Sequence, residues 1–199
     1  RQLSSWRRNV FGQYFMIDPN DGYPGCQCPQ CQAMRAEYPQ TGYSEIMFSA
    51  VAQVARAVED IPDARITTLA YPPKLLPPQT VKLPDNVWIR LCIAGPNVLL
   101  HPQAHEVQKQ LMIDWSQRVG GKLSLWTYAN GPTRQDSLAG TVQTIPHLIA
   151  TFLQESRPYI VGMFYQNGQT TQTARNLDTY VSMKLLWNPD QDVDELLNQ

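Results

Sequence analysis

Residues 86–129 read NVWIRLCIAGPNVLLHPQAHEVQKQLMIDWSQRVGGKLSLWTYA, and the fold turns on how this stretch is divided. Asn86 to Ala94 is a short apolar run rich in β-formers, which reads as a strand. His101 to Val119 has the length and spacing of a helix, and Gly120-Gly121 stops it. Lys122 to Ala129 is a strand again. Strand, helix and strand in succession make a crossover unit, and such a unit joins parallel strands.

The same alternation extends in both directions. Upstream, Val10–Ile17 reads as a strand ended by Asp18-Pro19. Residues 42–61 then place Ile46, Val51, Val54, Ala55 and Val58 at helical spacing behind a Ser44 cap. Ala64–Tyr71 is a further strand. The proline-rich residues 72–85 cannot hold regular structure, because each proline fixes φ and removes a donor. Downstream come a helix over 141–156 with Pro146 in its first turn or kinking it, a strand at Tyr159–Gln166, and helices over 173–187 and 192–199. Near-continuous apolar strands predict burial on both faces. The fold class expected is α/β, built of parallel (β/α) units. An open doubly wound sheet competes, but no glycine-rich phosphate loop follows any strand. Five units fall short of the ~250 residues of a closed TIM barrel. Residues 1–199 are therefore expected to be one incomplete domain, the C-terminal part of a TIM (β/α)₈ barrel whose N-terminal strands are missing. A parallel edge left open invites pairing, with that missing part of the same protein or with a second copy.

With 43% hydrophobic and 17% charged residues among 199, and a net charge of −1, the chain is long enough to bury a core. It carries no basic stripe for nucleic acid. It holds no apolar run of the length that spans a membrane. Arg1 stands in place of an initiator Met, and no signal peptide follows, as expected for a piece of a longer chain.

In either architecture a ligand lies beyond the carboxyl ends of the strands. The residues there are Asp18, Asn20 and Asp21, then Tyr71, then Cys92, then Trp126, Tyr128 and Asn130, then Tyr165, Gln166 and Asn167. Aromatic faces beside amides and carboxylates suit a sugar, whose C–H faces stack on rings while its hydroxyls need fixed polar partners. Glycoside hydrolysis uses two carboxyl groups. Asp18 and Asp21 are the catalytic candidates, with Asn20, Tyr71, Trp126, Tyr128, Tyr165 and Gln166 as binding residues. Asp18–Asp21 equally makes an ordinary Asx turn, and any one of the aromatics equally fills a core. The reaction requires no cofactor.

Cys26, Cys28 and Cys31 share one loop. Three thiolates supply most of a structural zinc site, with Cys92, His101 or His105 available as the fourth ligand. A disulfide among them, or to Cys92, competes evenly with the metal, and buried free thiols come third. His147 reads as a helix-face histidine, and the acids of 190–195 as a solvated face.

The stretch DPNDGYPGCQCPQC (18–31) resembles a recurring family pattern of the form NPNDG–Cys–Cys–Pro–Cys. LAYPPKLLPPQTVKLPDNVWIRLCIAGPNVLLHP (69–102), DWSQRVGGKLSLWTYAN (114–130) and YVSMKLLWNPDQDVDELL (180–197) are similar to its later segments in the same order. The family is the domain of unknown function 4838, α-glucuronidase-like barrels of exported bacterial polysaccharide-handling proteins. The resemblance implies a glycoside-hydrolase-type barrel, oligo- or polysaccharide as substrate, uronic-acid-containing glycans among them, and export to the periplasm, cell surface or medium. A non-catalytic carbohydrate-binding or structural module is the alternative. Thr127 and Gln166 stand where relatives carry acids, which counts against hydrolysis.

Overall fold

The computed structural model describes residues 14–18, 20, 22, 25–128, 144–166 and 172–198. Its strands are β1 (Tyr14–Met16), β2 (Arg65–Ala70), β3 (Val87–Cys92), β4 (Leu123–Tyr128) and β5 (Gly162–Gln166). The helices are α1 (Pro29–Glu37), α2 (Gly42–Arg56), α3 (Pro102–Arg118), α4 (Pro146–Ser156), α5 (Gln172–Trp187) and α6 (Val193–Leu197), with a 3₁₀ turn at Pro96–Leu100. The sheet runs in the order β1-β2-β3-β4-β5. Pairing is parallel between β1 and β2, β2 and β3, and β4 and β5. Between β3 and β4, the Ile89 N–H donates to the Lys122 carbonyl at 3.2 Å and the Ile93 N–H to that of Trp126 at 3.0 Å. Spatial order follows chain order, so no crossover reverses direction. A doubly wound sheet must reverse at its switch point. These are the parallel (β/α) units of a TIM-type barrel. Among the described residues no helix is long and apolar enough to cross a membrane.

The chain divides into two compact units, one up to Cys92 plus Asp114–Leu123, the other Ile93–Ile113 plus Ser124 onward. In the first, α2 buries Phe48, Val51, Ala52 and Ala55, an i, i+3, i+4, i+7 stripe. The sequence pattern had pointed to Val54, which is exposed, and to Ile46, which is only half-buried. Phe48 meets Trp115 edge-on at 5.0 Å between ring centroids. Ser44 is not the cap expected of it. Thr41 holds that position, and the Ser44 hydroxyl donates instead to the Leu76 carbonyl at 2.6 Å. The helix ends at Arg56, short of the predicted Ile61.

Burial on β2 alternates: Ile66, Thr68 and Ala70 are buried, while Arg65, Thr67 and Leu69 are half-buried. The expectation of burial on both faces fails here, because only one face of the strand is sealed. The same alternation in β4 buries Leu123, Leu125 and Thr127 and leaves Ser124, Trp126 and Tyr128 on the more open side.

The proline-rich segment has no helix or strand between Ala70 and Val87, as its composition demands. Side chains of α2 and α3 supply the partners that a ladder would have given it. The Trp115 indole N–H donates to the Leu75 carbonyl at 2.8 Å. Arg118 donates to the carbonyls of Gln79 (3.3 Å) and Val81 (2.7 Å). Glu45, 1% exposed, accepts from the backbone N–H groups of Gln79, Thr80 and Val81 and from the Thr80 hydroxyl at 2.6 Å.

The second unit packs Ile149, Ala150 and Leu153 of α4 against Val181 and Leu185 of α5 and Val193 and Leu196 of α6. Pro146 opens α4 at its first position, where a missing N–H costs nothing. The buried Asp178 of α5 accepts the Ile145 N–H at 3.0 Å and closes that end.

Candidate active site

The stop of β1 at Met16 brings Asp18 beside the end of β2. The Leu69 N–H donates to Asp18 Oδ1 at 2.8 Å, and the Thr68 hydroxyl donates to the Ile17 carbonyl at 2.6 Å. These two bonds continue the β1–β2 register past the strand and fix where the carboxyl sits. Ile17, Asp18 and Asn20 line one side of a cleft of about 400 Å³; Tyr43, Ile46, Met47 and Ala50 of α2 line another, with Pro73 and Lys74 and with Gly25 and Cys26. Most of the wall is apolar, and its polar groups are few, as in small-molecule sites generally.

Asp18 has an exposed edge, yet its carboxyl is partly desolvated. Desolvation raises its pKa above the ordinary aspartate value, against the opposing pull of the Leu69 N–H and of the positive charges of Arg90 and Lys74. Lys74 is 7% exposed. An ammonium buried to that degree carries its charge into a site where screening by water is weak. Lys74 and Tyr43 are not among the residues that the strand ends point to. Lys74 lies three residues past Tyr71, and reading further beyond the end of β2 would have reached it. Tyr43 and Met47 enter only because the first turns of α2 back onto the cleft, which no local pattern reveals.

The remaining candidates divide. Asp21 lies outside the described residues, as do Asn130 and Asn167. Tyr71 is half-buried after β2 and is not part of the cleft wall. In the second unit, the Trp126 indole N–H donates to Gln166 Oε1 at 2.9 Å, and its ring lies 4.4 Å from that of Phe164. Tyr128, opposite Gln166 in the register, is exposed beside them. Tyr165 goes to the other face of β5 and lines a small apolar space with Ile149, Phe152 and Leu153. Thr127 is fully buried on the face opposite Trp126, and its hydroxyl has no partner among the described residues. An acid at position 127 would be buried away from the aromatic group.

The Cys loop leads from the cleft into α1. All four cysteines are thiols, none joined in a disulfide. The sulfurs of Cys26, Cys28 and Cys31 lie within 4.8 Å of one another, a group able to hold a metal ion. Cys92 is buried at the end of β3 and is not in that group. The Cys31 N–H, then the thiols of Cys26 and Cys31, then the Gln30 N–H stabilise Cys28 as thiolate and lower its pKa. Cys31 is pushed up to about 11, first by its own bond to the Cys28 sulfur and then by desolvation.

A family model described as "Domain of unknown function (DUF4838)" matches residues 5–199. None of the curated proteins compared with the chain matches it.

Proposed function

Since the chain belongs to the DUF4838 family, whose description assigns no chemistry, we propose from the site itself that it handles polysaccharide and that the cleft beside Asp18 takes an acidic sugar. The observation that carries this reading is the presence of one carboxyl, Asp18, and the buried ammonium of Lys74 in the same mostly apolar wall. A pyranose ring offers C–H faces to Tyr43 and Met47 and hydroxyls to Asp18 and Asn20. Lys74 and Arg90 both act on Asp18, and Lys74 stands in the cleft wall. A uronic-acid carboxylate gains a charge-assisted bond to that ammonium, which a neutral hexose lacks.

In this reading Asp18 is a proton donor and acceptor of glycoside hydrolysis, with its pKa moved toward the range useful for an acid. The Cys26–Cys31 loop forms the rim of the cleft, and a structural zinc there would fix the rim without entering the chemistry. Hydrolysis needs a second carboxyl. Among the described residues, Asp18 is the only carboxyl lining the cleft. That single observation supports the second reading, a carbohydrate-binding module that holds a glycan without cleaving it, and export of the protein goes with either one.

Calorimetric titration with oligoglucuronide and with the matching neutral oligosaccharide tests the cleft. The acidic ligand is expected to bind at least about tenfold tighter, a difference of about 1.4 kcal/mol, and Lys74→Met is expected to cancel that preference. Equal affinities, or a preference that survives Lys74→Met, would overturn the reading. Reducing-end release over the same ligands separates the two versions: Asp18→Asn stops any turnover in the first and leaves a binder in both. The Trp126–Gln166 pair is a separate platform for a sugar face. Trp126→Ala is expected to weaken binding of the neutral oligosaccharide by roughly 1 kcal/mol and to leave acidic-ligand binding at the cleft unaffected; an equal loss for both would count against a separate platform.

A further inference from the structure

We propose that Cys26, Cys28 and Cys31 bind one zinc ion as three thiolates, leaving one coordination position open. The three sulfurs all lie within 4.8 Å of one another. Thiolates on a tetrahedral zinc, at about 2.3 Å from the metal, stand about 3.8 Å apart. The loop therefore needs to close by about 1 Å or less to take the ion. A disulfide uses two of the three and leaves an odd thiol in the same loop.

The loop is held in place before any ion arrives. Cys28 is the N-cap residue of the nine-residue α1, with Pro29 at its first position. Arg35, in the last turn of the same helix, reaches back to the Cys26 carbonyl at 2.7 Å and stacks 5.1 Å over the Tyr43 ring. Gln32 donates to the Gln27 carbonyl at 2.9 Å. Gly25 enters the loop at φ +84°, where a Cβ would stand 2.7 Å from Tyr43 Cε1, so only glycine lets the backbone pass so near the ring. These contacts fix both ends of a loop whose middle is three sulfurs.

Three thiolates and a dication carry a net charge of −1. Among the described residues no further His, Cys, Asp or Glu joins the group, and Cys28 is exposed. Among the described residues, then, the fourth position has no protein ligand, and a water, a thiol or an imidazole from outside can fill it. Binding is balanced as three thiols giving up three protons to solvent while three Zn–S bonds form, with no change in oxidation state.

Cobalt(II) serves as the spectroscopic probe. The full chain, reduced and freed of metal, is titrated with Co²⁺ and then with Zn²⁺. The expected result is a thiolate-to-cobalt absorption saturating at one equivalent, displaced by one equivalent of zinc. The band should be lost in Cys28→Ser and Cys31→Ser and kept in Cys92→Ser. Because a serine variant can misfold, the same wild-type titration after alkylation of exposed thiols is the second measurement, and it too should lose the band. Absence of the band in reduced wild-type protein would overturn the proposal. So would a mass two daltons short in protein purified without reductant, since that is a disulfide.

Discussion

Glu45→Ala is expected to lower the unfolding free energy by about 3 kcal/mol, read as the shift of the urea midpoint at constant slope. The carboxylate is fully buried in the first unit and accepts from three consecutive backbone N–H groups and one hydroxyl of the proline-rich segment. Removing it strands those donors, each worth about 1–3 kcal/mol when left unsatisfied. Gln79 and Thr80 have exposed edges, so water recovers part of that loss and the sum stays well below the ceiling. Desolvation by itself would raise the pKa of Glu45. The Thr80 hydroxyl and the N–H groups of Gln79, Thr80 and Val81 outweigh it and hold the group below its ordinary value. A carboxyl whose folded pKa is depressed stabilises the protein above its unfolded pKa, about 4.3, and loses that contribution as pH falls through the folded value. Wild type should therefore lose more stability than Glu45→Gln as pH falls below about 4.5. Parallel pH profiles for the two would show that the carboxylate charge contributes nothing.

Trp115→Ala carries a cost of about 3–5 kcal/mol, the range for emptying a large buried aromatic site. Trp115 is 0% exposed, sits edge-on to Phe48, and donates its indole N–H to Leu75. Trp115→Phe keeps most of the ring contact and removes only the donor, so it should cost about 1–2 kcal/mol, that of orphaning the Leu75 carbonyl. The pair of variants separates packing from hydrogen bonding. A functional readout follows, because Leu75 is the neighbour of Lys74. Trp115→Phe should weaken acidic-sugar binding without touching the cleft wall. If Trp115→Phe equals Trp115→Ala in stability, the hydrogen bond dominates the site.

Much of the fold was legible because it rests on local patterns. The β3–α3–β4 succession is written in an apolar run, a helical run and a Gly-Gly stop. The helix expected over 141–156 starts only at Pro146, since residues 144 and 145 are not helical; proline at the first helical position loses nothing. What local pattern could not supply was the partner of each side chain. Ser44 has the composition of a cap but bonds a carbonyl 32 residues away, and Glu45, a first-turn acid of α2, bonds backbone N–H groups 34 to 36 residues away. Tyr165 and Gln166 are adjacent in sequence and therefore on opposite faces of a strand, a distinction that strand-end counting ignores. In the candidate site, Asp18, Asn20 and Cys26 were visible as one loop. Lys74 and Tyr43 reach the same cleft through turns whose direction depends on tertiary packing.

The sheet's order has a consequence for how the protein is made. Each strand pairs with the strand synthesised just before it, so no strand must be threaded between two that are already joined. Growth can follow the ribosome: β2 docks on β1, β3 on β2, and each connecting segment folds while the next is still being translated. The sequence separation between paired strands stays within one β/α unit, which keeps loop-closure entropy small at every addition. A nascent chain stalled after any of β2 to β5 would then hold an already paired sheet, and of its two edges only that of the newest strand waits for the next addition.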